Sequence, residues 1–394
     1  MISLPQITES HKAILCNDLI CFSHLRWDFV YQRPQHLMTR FSKKFRTFFV
    51  EEPIFTSDGE KYEYKYTDSN IGIFTPYLNP GISEADVATR LQKMLMDFFK
   101  LKSILNYCFW YYTPMALAFT ENFKPHFTVY DCMDELSAFK FAPPVLKDME
   151  KKLLQSADIV FTGGVSLFNH KKNHHKNIYP FPSSIEKEHF AKARTAQPDP
   201  ADQQKIPHPR FGYYGVIDER FDFNLIETVA EQKPEWQFII IGPVVKIDPA
   251  ILPKRNNIHF LPGKTYEQLP SYVAGWEIAL VPFARNESTK FISPTKTPEY
   301  LAAGKPVIST SIQDVVEPYG KNNLVYIADE PQEFINAGEK ILNELHDKNW
   351  LQKVDAFLDG NSWDNTFNNM LELIYSTANK KLDIIQQKKT EAYV

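Results

Sequence analysis

Short apolar runs alternate along the chain with segments whose apolar residues recur at helical spacing, the pattern of a parallel sheet covered by helices on both faces. In the first half, runs at 19–23, 47–50, 71–74, 105–111, 127–130, 159–161 and 178–181 predict strands. Pro34 suits the first turn of a helix, where its missing N–H would be unpaired anyway, and Leu37, Met38 and Phe41 supply the apolar stripe. The periodicity stops between Glu186 and Pro209, where Pro198, Pro200, Pro207 and Pro209 gather among charged and small residues. That composition predicts a semi-rigid linker without a core of its own. The pattern restarts with strands at 211–214, 236–241, 258–261, 278–283, 306–309 and 324–327 and helices at 224–231, 266–274, 297–303 and 331–345. Beyond Trp363, the residues Phe367, Met370, Leu371, Leu373 and Ile374 predict a terminal helix with one apolar face, running into a basic stretch at 380–389. The expected organisation is therefore α/β: one doubly wound domain over 1–186, a linker over 187–209, a second doubly wound domain over 210–362 and a helical tail over 363–394.

Composition agrees with two cores. A chain of 394 residues exceeds one ordinary core, and 43% hydrophobic with 23% charged residues excludes a largely disordered chain. A net charge of −4 supplies no general field for nucleic acid. Cys16, Cys21, Cys108 and Cys132 show no paired spacing and are expected as buried, reduced thiols. The first twenty residues contain His11 and Lys12 but no signal-type apolar run, so the expected location is cytoplasmic. In the segment 90–104, Met94, Met96, Phe98, Phe99 and Leu101 alternate with Lys93, Lys100 and Lys102. Two readings stay open there: a helix facing the core, or a helix lying on an anionic membrane surface at the inner face of the cell membrane.

The richest chemistry lies at 282–307. A strand ends there in a polar loop, a helix begins, and Gly304 closes it before the next strand. In open α/β sheets ligands bind where strands end and helices begin. Ser293, Pro294 and Thr295 with their N–H groups suit a diphosphate, Lys296 adds positive charge, and Glu299 suits two ribose hydroxyls. The plain alternative is a helix cap at Ser293 with Glu299 near the dipole.

The run Glu299-Tyr-Leu-Ala-Ala-Gly-Lys-Pro-Val307 resembles the donor-binding signature of GT-B glycosyltransferases, especially the family-four group of bacterial polysaccharide enzymes. The resemblance extends to Ala157-Asp-Ile-Val-Phe161 with Ser166, to the segment from Phe211 to Arg220, and to Asn257-Ile-His-Phe-Leu-Pro-Gly263. It implies two Rossmann-like domains facing a cleft, with the tail helix crossing back to the first. It also implies transfer of a hexose from a nucleoside-diphosphate sugar, UDP or GDP, to a glycan or lipid-linked glycan hydroxyl, with retention and without a cofactor or metal ion. The family usually carries two glutamates separated by seven residues. Glu299 matches the second, and Phe291 stands at the first. That departure leaves open a catalytically silent partner subunit, and the paired domains leave open a sugar-nucleotide epimerase.

Gly215 lets the backbone approach a phosphate, and Arg220 resembles the family's phosphate-binding arginine, the alternative being a surface pair with Asp218 or Asp222. Gly242 and Gly263 end strands in turns that border the base in related enzymes. Across the cleft, His24, Trp27, Arg33 and Gln35 suit an acceptor pocket, or a solvated loop. Asp131, Asp134 and Glu135 offer carboxylates to act as base or to orient the acceptor hydroxyl, and Asp134 alternatively caps a helix. His170, His174 and His175 lack carboxylate or cysteine partners and read as a basic helix end.

Overall fold

The computed structural model describes residues 16–344 and 348–391, so His11, Lys12 and Leu345 lie outside the described residues. The first lobe holds β1 (Asp18–Ser23), β2 (Arg46–Glu51), β3 (Ile54–Phe55), β4 (Lys61–Tyr66), β5 (Gly72–Leu78), β6 (Tyr107–Tyr111), β7 (Thr128–Cys132), β8 (Ile159–Thr162) and β9 (Ile178–Pro180). Its sheet order is β3-β5-β2-β1-β6-β7-β8-β9, with β4 antiparallel on β5. The central strands are parallel and buried on both faces, which is why they read as unbroken apolar runs. β4 escaped the sequence reading because Lys61-Tyr-Glu-Tyr-Lys-Tyr66 alternates charge with aromatics and stays mostly exposed at the sheet's edge.

The second lobe holds β10 (Arg210–Tyr214), β11 (Gln237–Ile241), β12 (Ile258–Leu261), β13 (Ile278–Val281), β14 (Val307–Ser309) and β15 (Tyr326–Ile327). They form one parallel sheet in the order β12-β11-β10-β13-β14-β15. The order reverses at β10 and β13, so a crevice opens above the carboxyl ends of those two strands.

The proline-rich segment differs from its expected character. Residues Lys187–Ala191 form a helix, and Phe190, Ala193 and Ile206 are buried in the core of the second lobe. Full burial of a phenylalanine such as Phe190 contributes about 1.5–3 kcal/mol, enough to make this stretch part of the lobe. The chain crosses between lobes just before it, between Pro180 at the end of β9 and Ile185 in the core of the second lobe. It crosses again at the end: the helix Trp363–Glu391 places Trp363, Phe367, Met370 and Ile374 in the core of the first lobe.

All four cysteines are buried and free. In the helix Glu84–Leu101, Leu91, Leu95, Phe98 and Phe99 face the core, while Met96 and Leu101 remain exposed. Among the described residues no helix is long and apolar enough to cross a membrane.

Candidate functional site

The carboxyl ends of β10 and β13 bring the donor-side residues together. Lys296 opens the helix Lys296–Ala302, with Thr295 at its N-cap; neither Thr295 nor Ser293 caps it through a side chain. The Lys296 ammonium lies over the rings of Tyr213 (5.4 Å) and Phe283 (5.8 Å). It also sits beside Gly215, where a Cβ would lie 2.7 Å from Nζ. Gly215 has φ +142°, and a Cβ on Gly242 (φ +151°) would collide with the Gly215 carbonyl. Gly242 is therefore required by close approach to backbone as well as by conformation, and Gly215 by its backbone conformation. Gly263 stands at the next turn, against Pro243.

Glu299 is 7% exposed and accepts a 2.5 Å hydrogen bond from the Tyr214 hydroxyl at Oε2. Burial pushes its carboxyl up to about 7, against the Tyr214 hydrogen bond and Lys296. Burial likewise pulls Lys296 down to about 8, with the neighbouring Arg220 adding to the effect and Glu299 opposing it. Arg220 is held by Asp218 through Nε (2.9 Å) and Nη2 (2.6 Å). Its guanidinium lies 5.3 Å above the ring of Phe139, a residue of the first lobe.

From the first lobe Asp134 completes the cluster. Burial pushes it up to about 6, while Arg220, Arg33 and Lys296 pull the other way. Asp134, Arg220 and Lys296 thus share one electrostatic neighbourhood across the crevice. Burial depresses His24 to about 4, with Lys246 of the second lobe contributing, and its Nδ1 has no hydrogen-bond partner.

The remaining expected site residues make contacts within the first lobe. Asp131 is fully buried and takes three hydrogen bonds from Arg33, at 2.8, 3.0 and 3.1 Å. Arg33 also donates to the Phe181 carbonyl at 2.7 Å, so neither member of the pair faces the crevice with a free group. Gln35 accepts from the Gln32 N–H (3.1 Å) and donates to the Trp27 carbonyl (2.8 Å). Trp27 packs edge-on against Phe49. Glu135 pairs with the buried Lys171 at 2.7 Å.

Phe291 stacks on His170 of the first lobe, with centroids 4.5 Å apart and planes at 19°. His175 bonds the Ala157 carbonyl at 3.0 Å instead of facing His170. The lobes also meet where the Ser166 N–H donates to Asp314 Oδ1 at 2.9 Å and the Lys140 N–H to Glu219 Oε1 at 3.3 Å. Tyr214, Phe139 and Lys246 were not singled out from the sequence, whereas Asp218 was named there as a partner for Arg220, the pairing the structure has. Tyr214 and Asp218 lie inside the quoted segment Phe211 to Arg220, while Phe139 and Lys246 carry no motif.

Comparison with known proteins finds similarity in sequence and in fold. Residues 210–344 match the family model "Glycosyl transferases group 1". A Bacillus subtilis (strain 168) protein, provisionally named a teichuronic acid biosynthesis glycosyltransferase, TuaH, is 25% identical over 284 residues, covering 67% of this chain and 71% of that protein. The sucrose-phosphate synthase of Thermosynechococcus elongatus shares the fold at TM-score 0.61 and 12% identity, covering 95% of this chain and 100% of that one. The catalytic domain of Arabidopsis thaliana starch synthase IV, solved with ADP and acarbose, does so at TM-score 0.62 and 10% identity, covering 93% and 99%. The two-lobed architecture is the GT-B fold.

Proposed function

We propose, from the premise that this chain is a glycosyltransferase of the GT-B fold, that it moves a hexose from a UDP or GDP sugar to a hydroxyl of a glycan or lipid-linked glycan during cell-surface polysaccharide synthesis. The observation that carries the reading is the convergence of Lys296 and Arg220, with Gly215 beside them, on one crevice that Asp134 faces from the other lobe.

In this reading the diphosphate lies against Gly215, where the absence of a side chain admits it. Arg220 and Lys296 offset the charge that grows on the diphosphate as the bond to the anomeric carbon breaks. The helix Lys296–Ala302 is short, so the two cations supply most of that stabilisation. Glu299 Oε2 is held by Tyr214, which leaves Oε1 to accept from the ribose diol. Ser293, Pro294 and Thr295 border the diphosphate, and Gly242 and Gly263 border the base. Asp134 accepts a hydrogen bond from the attacking hydroxyl, whose oxygen bonds to the anomeric carbon while its proton passes to the departing diphosphate. Retention of configuration is part of the proposal, read from the product's anomeric proton coupling. No resident cofactor or metal ion is assigned a step.

The exposed Met96, Leu101 and Leu105 on the first lobe support contact with an anionic lipid surface that carries the acceptor. Flotation with liposomes that contain anionic lipid tests this contact.

Product analysis tests the activity. A panel of nucleotide sugars is incubated with and without a mixed glycan acceptor. Transfer that requires acceptor is expected. Release of an isomerised donor without acceptor would instead identify an epimerase, and nucleotide binding without any turnover a silent subunit.

A further inference from the structure

A cavity of about 760 Å³ lies between the lobes beside the two crossing segments. That size falls within the roughly 300–1,000 Å³ of ligand sites. Three separate parts of the chain form it: the helix Val165–Lys171 of the first lobe, the turn around Gln313–Tyr319 of the second, and the start of the crossing helix Trp363–Glu391. Ser293, which borders the diphosphate in the proposed reading, lines it, but Lys296, Glu299 and Arg220 do not, so the cavity adjoins the diphosphate cluster without containing its charged groups.

Its chemistry differs from that cluster as well. The lining contains no lysine, arginine or histidine. Its polar groups are amides and hydroxyls, such as Asn169 and Asn369, with the carboxylates of Asp314 and Glu317. Tyr319 and Phe357 present aromatic surface there, with ring centroids 5.4 Å apart. Carboxylates without cations repel phosphate and uronate, whereas carboxylates accept from hydroxyls, amides both accept from and donate to them, and rings pack against the C–H faces of sugars. We infer that this cavity is a second carbohydrate site, which takes a stretch of neutral oligosaccharide and, by touching both lobes and the crossing helix, holds them together. The choice of ligand rests on the glycosyltransferase reading; the cavity and its charge do not.

The experiment titrates the full chain by calorimetry with maltohexaose, cellohexaose, chitotetraose and, as the anionic comparison, tetragalacturonate, each with and without saturating UDP and GDP. Asn169 and Asn369 are exposed on two different helices of the lining, so Asn169→Trp and Asn369→Trp narrow the cavity without disturbing a core. A neutral oligosaccharide is expected to bind equally with and without nucleotide. Each tryptophan variant should weaken it by roughly tenfold or more, with nucleotide affinity and circular dichroism unchanged. Glu299→Ala should weaken nucleotide alone. Absence of neutral oligosaccharide binding at millimolar concentration, competition with nucleotide, preference for the anionic comparison, or indifference to both tryptophans would each overturn the inference. Loss of nucleotide binding in the wild type, with oligosaccharide binding intact, would overturn the donor reading only.

Discussion

Phe291 stacks on His170 across the lobes at 4.5 Å, so the side chain at the position where the resemblance places a glutamate is used to hold the two lobes together. An aromatic pair of this kind contributes about 0.5–1.5 kcal/mol beyond the area it buries. Phe291→Ala should therefore favour the open arrangement, lowering kcat by roughly twofold to tenfold while the nucleotide dissociation constant stays unchanged. Steady-state kinetics paired with calorimetry checks both halves. An equal loss in nucleotide affinity would place Phe291 in the donor pocket.

The pH profile follows from the same crevice. Asp134 is charged above about 6, and Lys296 is protonated below about 8. Hydrogen bonding to the attacking hydroxyl needs the carboxylate, so kcat/KM falls as pH drops through the Asp134 value. Diphosphate stabilisation needs the ammonium, so kcat/KM falls again as pH rises through the Lys296 value. Glu299, pushed up to about 7, must also be ionised to accept from the ribose, so the acid limb falls through two groups in the wild type and through Glu299 alone in Asp134→Asn, with a shallower slope and at much lower overall rate. An unchanged acid limb in that variant would remove Asp134 from the chemistry.

Asp131 and Arg33 make a different prediction, because their pair is buried and closed on itself. Removing one partner leaves the other charge unpaired in the interior, at a cost of about 3–5 kcal/mol. Arg33→Met should lower the urea midpoint accordingly, and the variant that remains folded in the cold should bind nucleotide as the wild type does. A stable but inactive Arg33→Met would return this pair to the acceptor pocket.

The strands and most helices were legible in the sequence because burial on both faces writes parallel strands as apolar runs, as in Ile159–Thr162 and Gln237–Ile241. The edge strand Lys61–Tyr66 was not legible, since its exposed alternation carries no such run. Phe190 and Ile206 were misread as linker because single buried anchors among prolines show no period. At the site, Lys296 and Glu299 were visible through their place in a strand-loop-helix turn. The separation of Asp134 from Asp131 was not, because Asp131 lies within β7 while Asp134 lies in the bend beyond its carboxyl end, and because the distant Arg33 neutralises Asp131. Tyr214 was hidden for the same reason: its hydroxyl reaches Glu299 across 85 residues of sequence.

The assignment depends on Glu299 gripping the ribose of a nucleotide whose diphosphate lies beside Lys296. Calorimetric titration of UDP and GDP into the wild type and Glu299→Ala reads this directly. One of the two nucleotides should bind the wild type, and the substitution should raise its dissociation constant by about tenfold or more. Equal affinity in the two proteins would contradict the account.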